Sequence, residues 1–172
     1  AREFEHQEAA KIPPHARPGF HLTPLVGWMN DPNGFCYYNG CYHLFYQYHP
    51  YNTVWGPMHW GHAASADLLH WDYLPCALAP DTAADAAGCF SGSAVPLPDG
   101  QLLLLYTGVQ PAGIGHKELQ AQCVAVGDGR DFAKDAANPV ITAAMLPAGY
   151  SAVDFRDPKI WQEGDKYYCV AA

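Results

Sequence analysis

Short runs in which apolar and polar residues alternate fill most of the chain, broken by pairings of Gly with Asn or Asp. FCYY and CYHLFYQY flank Asn39-Gly40, SAVPLP and QLLLLYTG flank Asp99-Gly100, and KIWQE and KYYCVAA flank Gly164-Asp165. These pairs tolerate the positive φ of tight hairpin turns, so each reads as a turn between two antiparallel strands. The turns are spaced by 60 and then 65 residues, the period of a repeat architecture. WGHAASA and WDYLPCA follow the first hairpin as further strand-like runs, and ELQAQCVAV and NPVITAAM follow the second. Four short strands per unit predict an all-β chain built from β-propeller blades.

The repeat extends to chemistry. Asp31, Ser91 and Asp157 stand seven or eight residues ahead of their respective turns, in DPNGF, SGSAV and RDPKIW. The first strand of every propeller blade lines the central channel. The three positions are therefore expected to face one pocket, although 126 residues separate the first from the last. On this reading residues 1–24 are an N-terminal extension and 25–172 an incomplete propeller domain. Blade 1 spans about 25–84, blade 2 about 85–148, and a third blade starts at about 149–172. Propellers close with about four to eight blades. About two and a half blades leave an open sheet edge, so the chain reads as a fragment of a longer protein.

Composition narrows the partners. Nine Lys and Arg against 17 Asp and Glu give a net charge of −8, which argues against nucleic acid and anionic membrane surfaces. Apolar residues reach 49% and charged residues only 15%, which excludes a disordered chain. Eleven Tyr and five Trp suit strands and a sugar-binding surface. No run approaches the roughly 18 apolar residues of a membrane span, and AREFEHQEAAKIPPHARPGF reads as neither signal nor anchor. Cys36, Cys41, Cys76, Cys89, Cys123 and Cys169 lack both a disulfide-scaffold spacing and a CxxC pair. They read as buried free thiols of a reducing, cytoplasmic setting.

In GWMNDPNGF, DPNG by itself is a turn. At a blade's first strand, between Trp28, Asn30 and the channel, Asp31 becomes a candidate nucleophile and Asn30 a sugar ligand. FRDPKIW pairs Arg156 with Asp157, either as a surface ion pair or as a second carboxylate gripping sugar hydroxyls beside a guanidinium. Strand alternation is expected to separate it from Asp154. Gln47, Trp55 and Trp60 are candidate sugar contacts, and Phe90 and Ser91 candidate channel wall. His59 and His62 have HxxH spacing without further ligands, so no metal is implied. PAGIGHKE lacks a phosphate-loop pattern and reads as a loop, and no cofactor is implied.

WMNDPNG, YQYHPYNTVWGPMHWGHAASADLLHW, FSGSAV and FRDP occur in an order that resembles glycoside hydrolase family 32, from about Arg17 to the last residue. The opening segment and WGPMHWGHA look most like its bacterial intracellular sucrose or sucrose-6-phosphate branch. The resemblance implies a five-bladed propeller followed by a β-sandwich, the latter missing here. It also implies retaining hydrolysis of terminal β-D-fructofuranosides, with a small sugar as partner. It assigns Asp31 as nucleophile, Asp157 as transition-state stabiliser, and Asn30, Gln47, Trp55, Phe90, Ser91 and Arg156 as substrate contacts. The family's acid/base is a Glu followed by Cys, and none of Glu3, Glu5, Glu8, Glu118 and Glu163 precedes a Cys. The piece alone is therefore expected to be inactive. The resemblance leaves open sucrose against sucrose-6-phosphate, and levan or inulin hydrolysis or fructosyl transfer on the same fold. A non-catalytic carbohydrate-binding propeller or an inactive remnant also stays open.

Overall fold

The computed structural model describes residues 1–112, 118–150 and 154–172. Two four-stranded antiparallel sheets and a two-stranded one follow each other along the chain. The first runs β1 (Trp28–Tyr38), β2 (Cys41–His49), β3 (His59–Ser65) and β4 (Asp72–Leu78). The second runs β5 (Gly88–Pro96), β6 (Leu102–Gln110), β7 (Leu119–Gly127) and β8 (Phe132–Lys134). The third pairs β9 (Lys159–Glu163) with β10 (Lys166–Val170). Each sheet begins with a hairpin at the expected turn. Asn39 and Gly40 take φ of 48° and 82°, and Gly100 and Gly164 take 83° and 62°. The first strands sit side by side, with β5 between β1 and β9. Most of the PAGIGHKE loop reading, at 113–117, lies outside the described residues.

The main core lies between the first two sheets. Phe45, Trp60 and Leu78 from the first meet Leu102, Leu104 and Tyr106 from the second, all almost wholly buried. Trp60 is completely buried there and its indole N–H donates to the Phe90 carbonyl at 3.0 Å, so the sequence reading of Trp60 as a sugar contact is corrected. Its cross-strand partner is Gln47, and the indole fills the space between the sheets one step outward from the channel.

A second cluster, with Tyr46, Tyr48, Ala63 and Cys76, lies on the other face of the first sheet. It is capped by α1 (Arg2–Ala9), an element absent from the sequence reading of the N-terminal segment. Phe4 and Ala9 supply its apolar side, and Ile12 follows. Its docking is reciprocal: Glu5 accepts from the Cys76 amide at 3.3 Å, and Arg2 Nε donates to the Cys76 carbonyl at 3.1 Å.

The fourth strand of the second sheet also departs from expectation. NPVITAAM is not that strand. It makes one bridge, Gln122 with Ile141, and then a short 3₁₀ turn at Ala143–Met145. The chain reverses earlier, where Gly129 takes φ of 90° and Asp128 Oδ1 accepts from the amides of Arg130 and Asp131, both at 2.9 Å. Phe132–Lys134 then pairs with Ala125–Gly127. Of the cysteines, Cys76, Cys89 and Cys123 are buried and unpaired as expected. Cys36 and Cys41 are half-buried and Cys169 is exposed, also unpaired, so the expectation of free thiols holds for all six and that of burial for three.

Three histidines sit in this interior. His43 Nδ1 and His62 Nε2 lie 3.0 Å apart, and His59 Nδ1 lies 2.9 Å from the Pro57 carbonyl. Burial pushes His59 down to about 4 and His62 to about 3, and lowers His43 as well. These groups are neutral in the fold and titrate near 6.5 when unfolded. Their contribution is therefore complete above that value and is lost as pH falls toward the folded values. Each displaced histidine costs roughly 1.4 kcal/mol per pH unit over that window. Glu5, raised by burial, acts in the opposite sense. The expected result is a urea midpoint that drops steadily from pH 6.5 to 4, with a shallower slope in His62→Phe. Equal slopes for the two proteins would count against this origin.

Candidate active site

The inner strands are irregular where the chemistry sits. The β1–β2 register shifts between Met29 and Pro32, and the β5–β6 register shifts between Phe90 and Gly92. Asn30 and Asp31 are left out of the ladder at the first of these bulges, and Ser91 at the second. A bulge re-aims the residue it leaves unpaired, and Pro, which cannot donate, is tolerated on such an inner edge. Gly92 permits the close approach: a Cβ there would stand 2.1 Å from the Leu105 carbonyl oxygen. Asp157 arrives differently. It precedes β9 rather than lying in it, with φ of 57°, and Asp154 has φ of 64°. Strand alternation therefore does not separate the two acids. Arg156 links them, with Nη1 on Asp154 and Nε 3.7 Å from Asp157 Oδ2.

All eight candidate residues line one cleft of about 340 Å³: Asn30, Asp31, Gln47, Trp55, Phe90, Ser91, Arg156 and Asp157, joined by Met58. An adjoining hollow of about 290 Å³ shares Asp31, Ser91 and Asp157 and adds Asn33, Ser93 and Lys159. Asp31 and Asp157 are solvent-exposed at this mouth. Trp55, 57% exposed, meets Phe90 edge to face with centroids 6.2 Å apart.

Hydrogen bonds fix the polarity of the two amides. The Trp28 indole N–H donates to Asn30 Oδ1 at 2.8 Å, which leaves the Asn30 NH₂ free to donate. Gln47 Nε2 donates to the Cys89 carbonyl at 3.0 Å, which leaves its Oε1 free to accept. The cleft thus offers two carboxylates and an amide oxygen as acceptors, an amide NH₂ and a guanidinium as donors, and an aromatic face. That combination suits a polyhydroxylated ligand with one apolar face.

Sequence reasoning missed the residues behind the site: Trp28, Met58, Ser93, Thr107 and Gln122. The Trp28-x-Asn30 spacing was a usable signal, since alternate strand residues share a face. Thr107 and Gln122 carried none, because their partners are far away in the chain. Among the described residues no group of three or more His, Cys, Asp or Glu is arranged to hold a metal ion. A separate hollow of about 260 Å³ at Arg17, Phe20, His70 and Tyr73 contains a guanidinium already engaged by Thr23, Pro24, Leu25 and Tyr73.

Comparison with known proteins agrees with this geometry. Residues 21–172 match the family described as glycosyl hydrolases family 32, N-terminal domain. A sucrose-6-phosphate hydrolase of Zymomonas mobilis is 50% identical over 156 residues, covering 89% of this chain and 29% of the relative. A raffinose invertase of Escherichia coli is 48% identical over 157 residues, covering 89% and 31%. The solved GH32 β-fructofuranosidase of Bombyx mori superposes with a TM-score of 0.84 at 47% identity, over 98% of this chain and 35% of that one. The chain spans between 29% and 35% of the length of these three relatives. With its propeller blades and its family match over most of its length, the chain belongs to glycosyl hydrolase family 32.

Proposed function

We propose that the whole protein hydrolyses terminal β-D-fructofuranosides, sucrose or sucrose-6-phosphate first, with retention of configuration. The observation that carries this reading is the convergence of Asp31, Asp157 and their six polar and aromatic companions on one cleft from the first two sheets, the β2–β3 connection and the segment that leads into the third sheet. Asp31 attacks the anomeric carbon of the fructosyl unit and forms a covalent fructosyl-enzyme. The leaving oxygen takes a proton from a general acid, and water then releases fructose, assisted by the same group as base. Asp157, with Arg156 beside it, grips fructose hydroxyls as charge develops on the ring. Asn30 donates to a hydroxyl and Gln47 accepts from one, while Trp55 and Phe90 pack on the apolar sugar face.

Among the described residues no Glu lines the cleft, which fits an acid supplied from outside residues 1–172. Retention places the two carboxyl groups about 5–5.5 Å apart, and the acid/base contributes about 10²–10⁴-fold in rate. The names of the relatives support both substrates: sucrose-6-phosphate hydrolases and an invertase. A mutant form of the Bombyx mori enzyme has been solved in complex with sucrose. A cytoplasmic location fits the buried, unpaired thiols.

Methanol tests the stereochemistry. Whole protein given sucrose in aqueous methanol is expected to form methyl β-D-fructofuranoside, because the fructosyl-enzyme intermediate accepts methanol on the face the glucose left. The α-anomer as first product, seen by NMR, would falsify retention. Parallel assays with sucrose, sucrose-6-phosphate, levan and inulin rank the substrates.

A further inference from the structure

Three strands of the second sheet each send one buried polar side chain into the segment that carries Asp157. From β6, Thr107 Oγ1 accepts from the Asp157 amide at 3.1 Å. From β7, Gln122 Nε2 donates to the Phe155 carbonyl at 2.9 Å. From β5, Ser93 Oγ donates to the Pro158 carbonyl and accepts from the Ile160 amide, both at 2.8 Å. Thr107 and Gln122 are completely buried and Ser93 is 5% exposed. The first two are joined: Thr107 Oγ1 donates to Gln122 Oε1 at 3.0 Å, with the Ser91 carbonyl a second acceptor at 3.2 Å. The same hydroxyl therefore ties the Ser91 bulge to the Asp157 turn.

Two features make this more than generic packing. Asp157 has φ of 57°, a left-handed conformation that a non-glycine residue holds only when its surroundings over-determine it. The bonds also fall on the backbone groups that set it, since Phe155 C=O and Asp157 N–H bracket the peptide units whose rotation swings the Asp157 carboxylate. Asp157 stands half-exposed with no strand ladder of its own.

We infer that Thr107 and Gln122 form a positioning couple that fixes the left-handed turn at Asp157 and so sets where its carboxylate stands relative to Asp31 in the cleft. Neither side chain touches substrate; both act through the backbone of residues 155–157. The inference rests on the proposed fructosidase reading for its kinetic consequence, but not for its structural one.

Thr107→Val keeps the shape of the side chain and removes the acceptor and donor. In the whole protein it is expected to lower kcat on sucrose by about 10²-fold, the scale of an ångström of misplacement at a reacting group. KM stays within about threefold if the loss lies in the transition state. Thr107→Ser, which keeps the hydroxyl, restores the rate. Gln122→Glu supplies a pH signature and a second route if the valine variant fails to fold. Its ionised carboxylate faces the Phe155 carbonyl without a donor, whereas the protonated acid can donate there, so its activity relative to the parent rises as pH falls.

A crystal structure of either variant completes the test, and Asp157 is expected to leave the region near φ of 57°. The inference is overturned if Thr107→Val keeps its kcat, if serine fails to rescue it, or if the Asp157 turn is unchanged in both variants. If the parent itself releases no fructose, the functional reading fails instead, and the crystal structures alone decide the positioning role.

Discussion

Asp31→Asn in the whole protein is expected to abolish fructose release, with a loss in kcat of about 10⁴–10⁶-fold, the scale on which covalent hydrolases fail without a member of the nucleophilic machinery. The substitution is nearly isosteric at an exposed position, so folding should be untouched. What changes is the attacking atom, since an amide oxygen cannot form the fructosyl ester. Sucrose binding should survive, because Asn30, Gln47, Trp55, Arg156 and Asp157 still line the cleft. Tryptophan fluorescence, with Trp55 at the mouth, can follow that binding while a coupled assay follows fructose. Binding retained and turnover lost is the expected pair of results. Turnover within tenfold of the parent removes Asp31 from the nucleophile role. Asp157→Asn should lose less, because a neutral amide can still hydrogen-bond a hydroxyl where the carboxylate did.

Much of the site was legible because its parts repeat. The three Gly-containing turns, spaced evenly, placed DPNG, SGS and RDP at equivalent points of successive sheets. Period-2 alternation did the rest. Trp60 failed because aromatic residues are favoured both in strand cores and at sugar sites, and its neighbour Gln47 does face the cleft. The α1 helix was missed because charged residues surround Phe4 and Ala9, its two apolar contacts, too few to make a periodic signal. NPVITAAM is a better strand sequence than Phe132–Lys134. It lost because the Asp128-Gly129 turn brought a nearer segment back onto β7 first, at a small cost in loop closure, leaving room for only a bridge at Ile141. Asp157 was placed in a strand by analogy with Asp31. Its left-handed turn depends on Thr107 and Gln122, distant along the chain, and nothing local announces it.

The largest expected loss of stability comes from Asp85→Ala, which should cost about 3–5 kcal/mol. Asp85 is completely buried in the connection between β4 and β5. Its Oδ2 accepts from Lys134 Nζ at 2.6 Å and from the Tyr106 hydroxyl at 2.8 Å, and its Oδ1 accepts from the Thr82 hydroxyl at 2.8 Å. Lys134, on β8, has a side chain only 12% exposed. It also reaches Asp81 Oδ1 at 2.6 Å and the Ala79 carbonyl. Burial alone would raise the Asp85 carboxyl, but the bonds from Lys134, Tyr106 and Thr82 outweigh it and hold the group below its usual range. Alanine leaves an ammonium and a phenol inside with fewer partners, and an unpaired buried group costs its full desolvation. The pair joins β8 to the first sheet's exit, so its loss should loosen the contact between blades that keeps Asp31 and Ser91 on one cleft. Replacing both residues, Asp85→Leu with Lys134→Met, removes both charges and should be milder than either single change. Urea midpoints of the parent, Asp85→Leu, Lys134→Met and the double variant check this. Additive losses in the double variant would show that the two groups do not act as a pair.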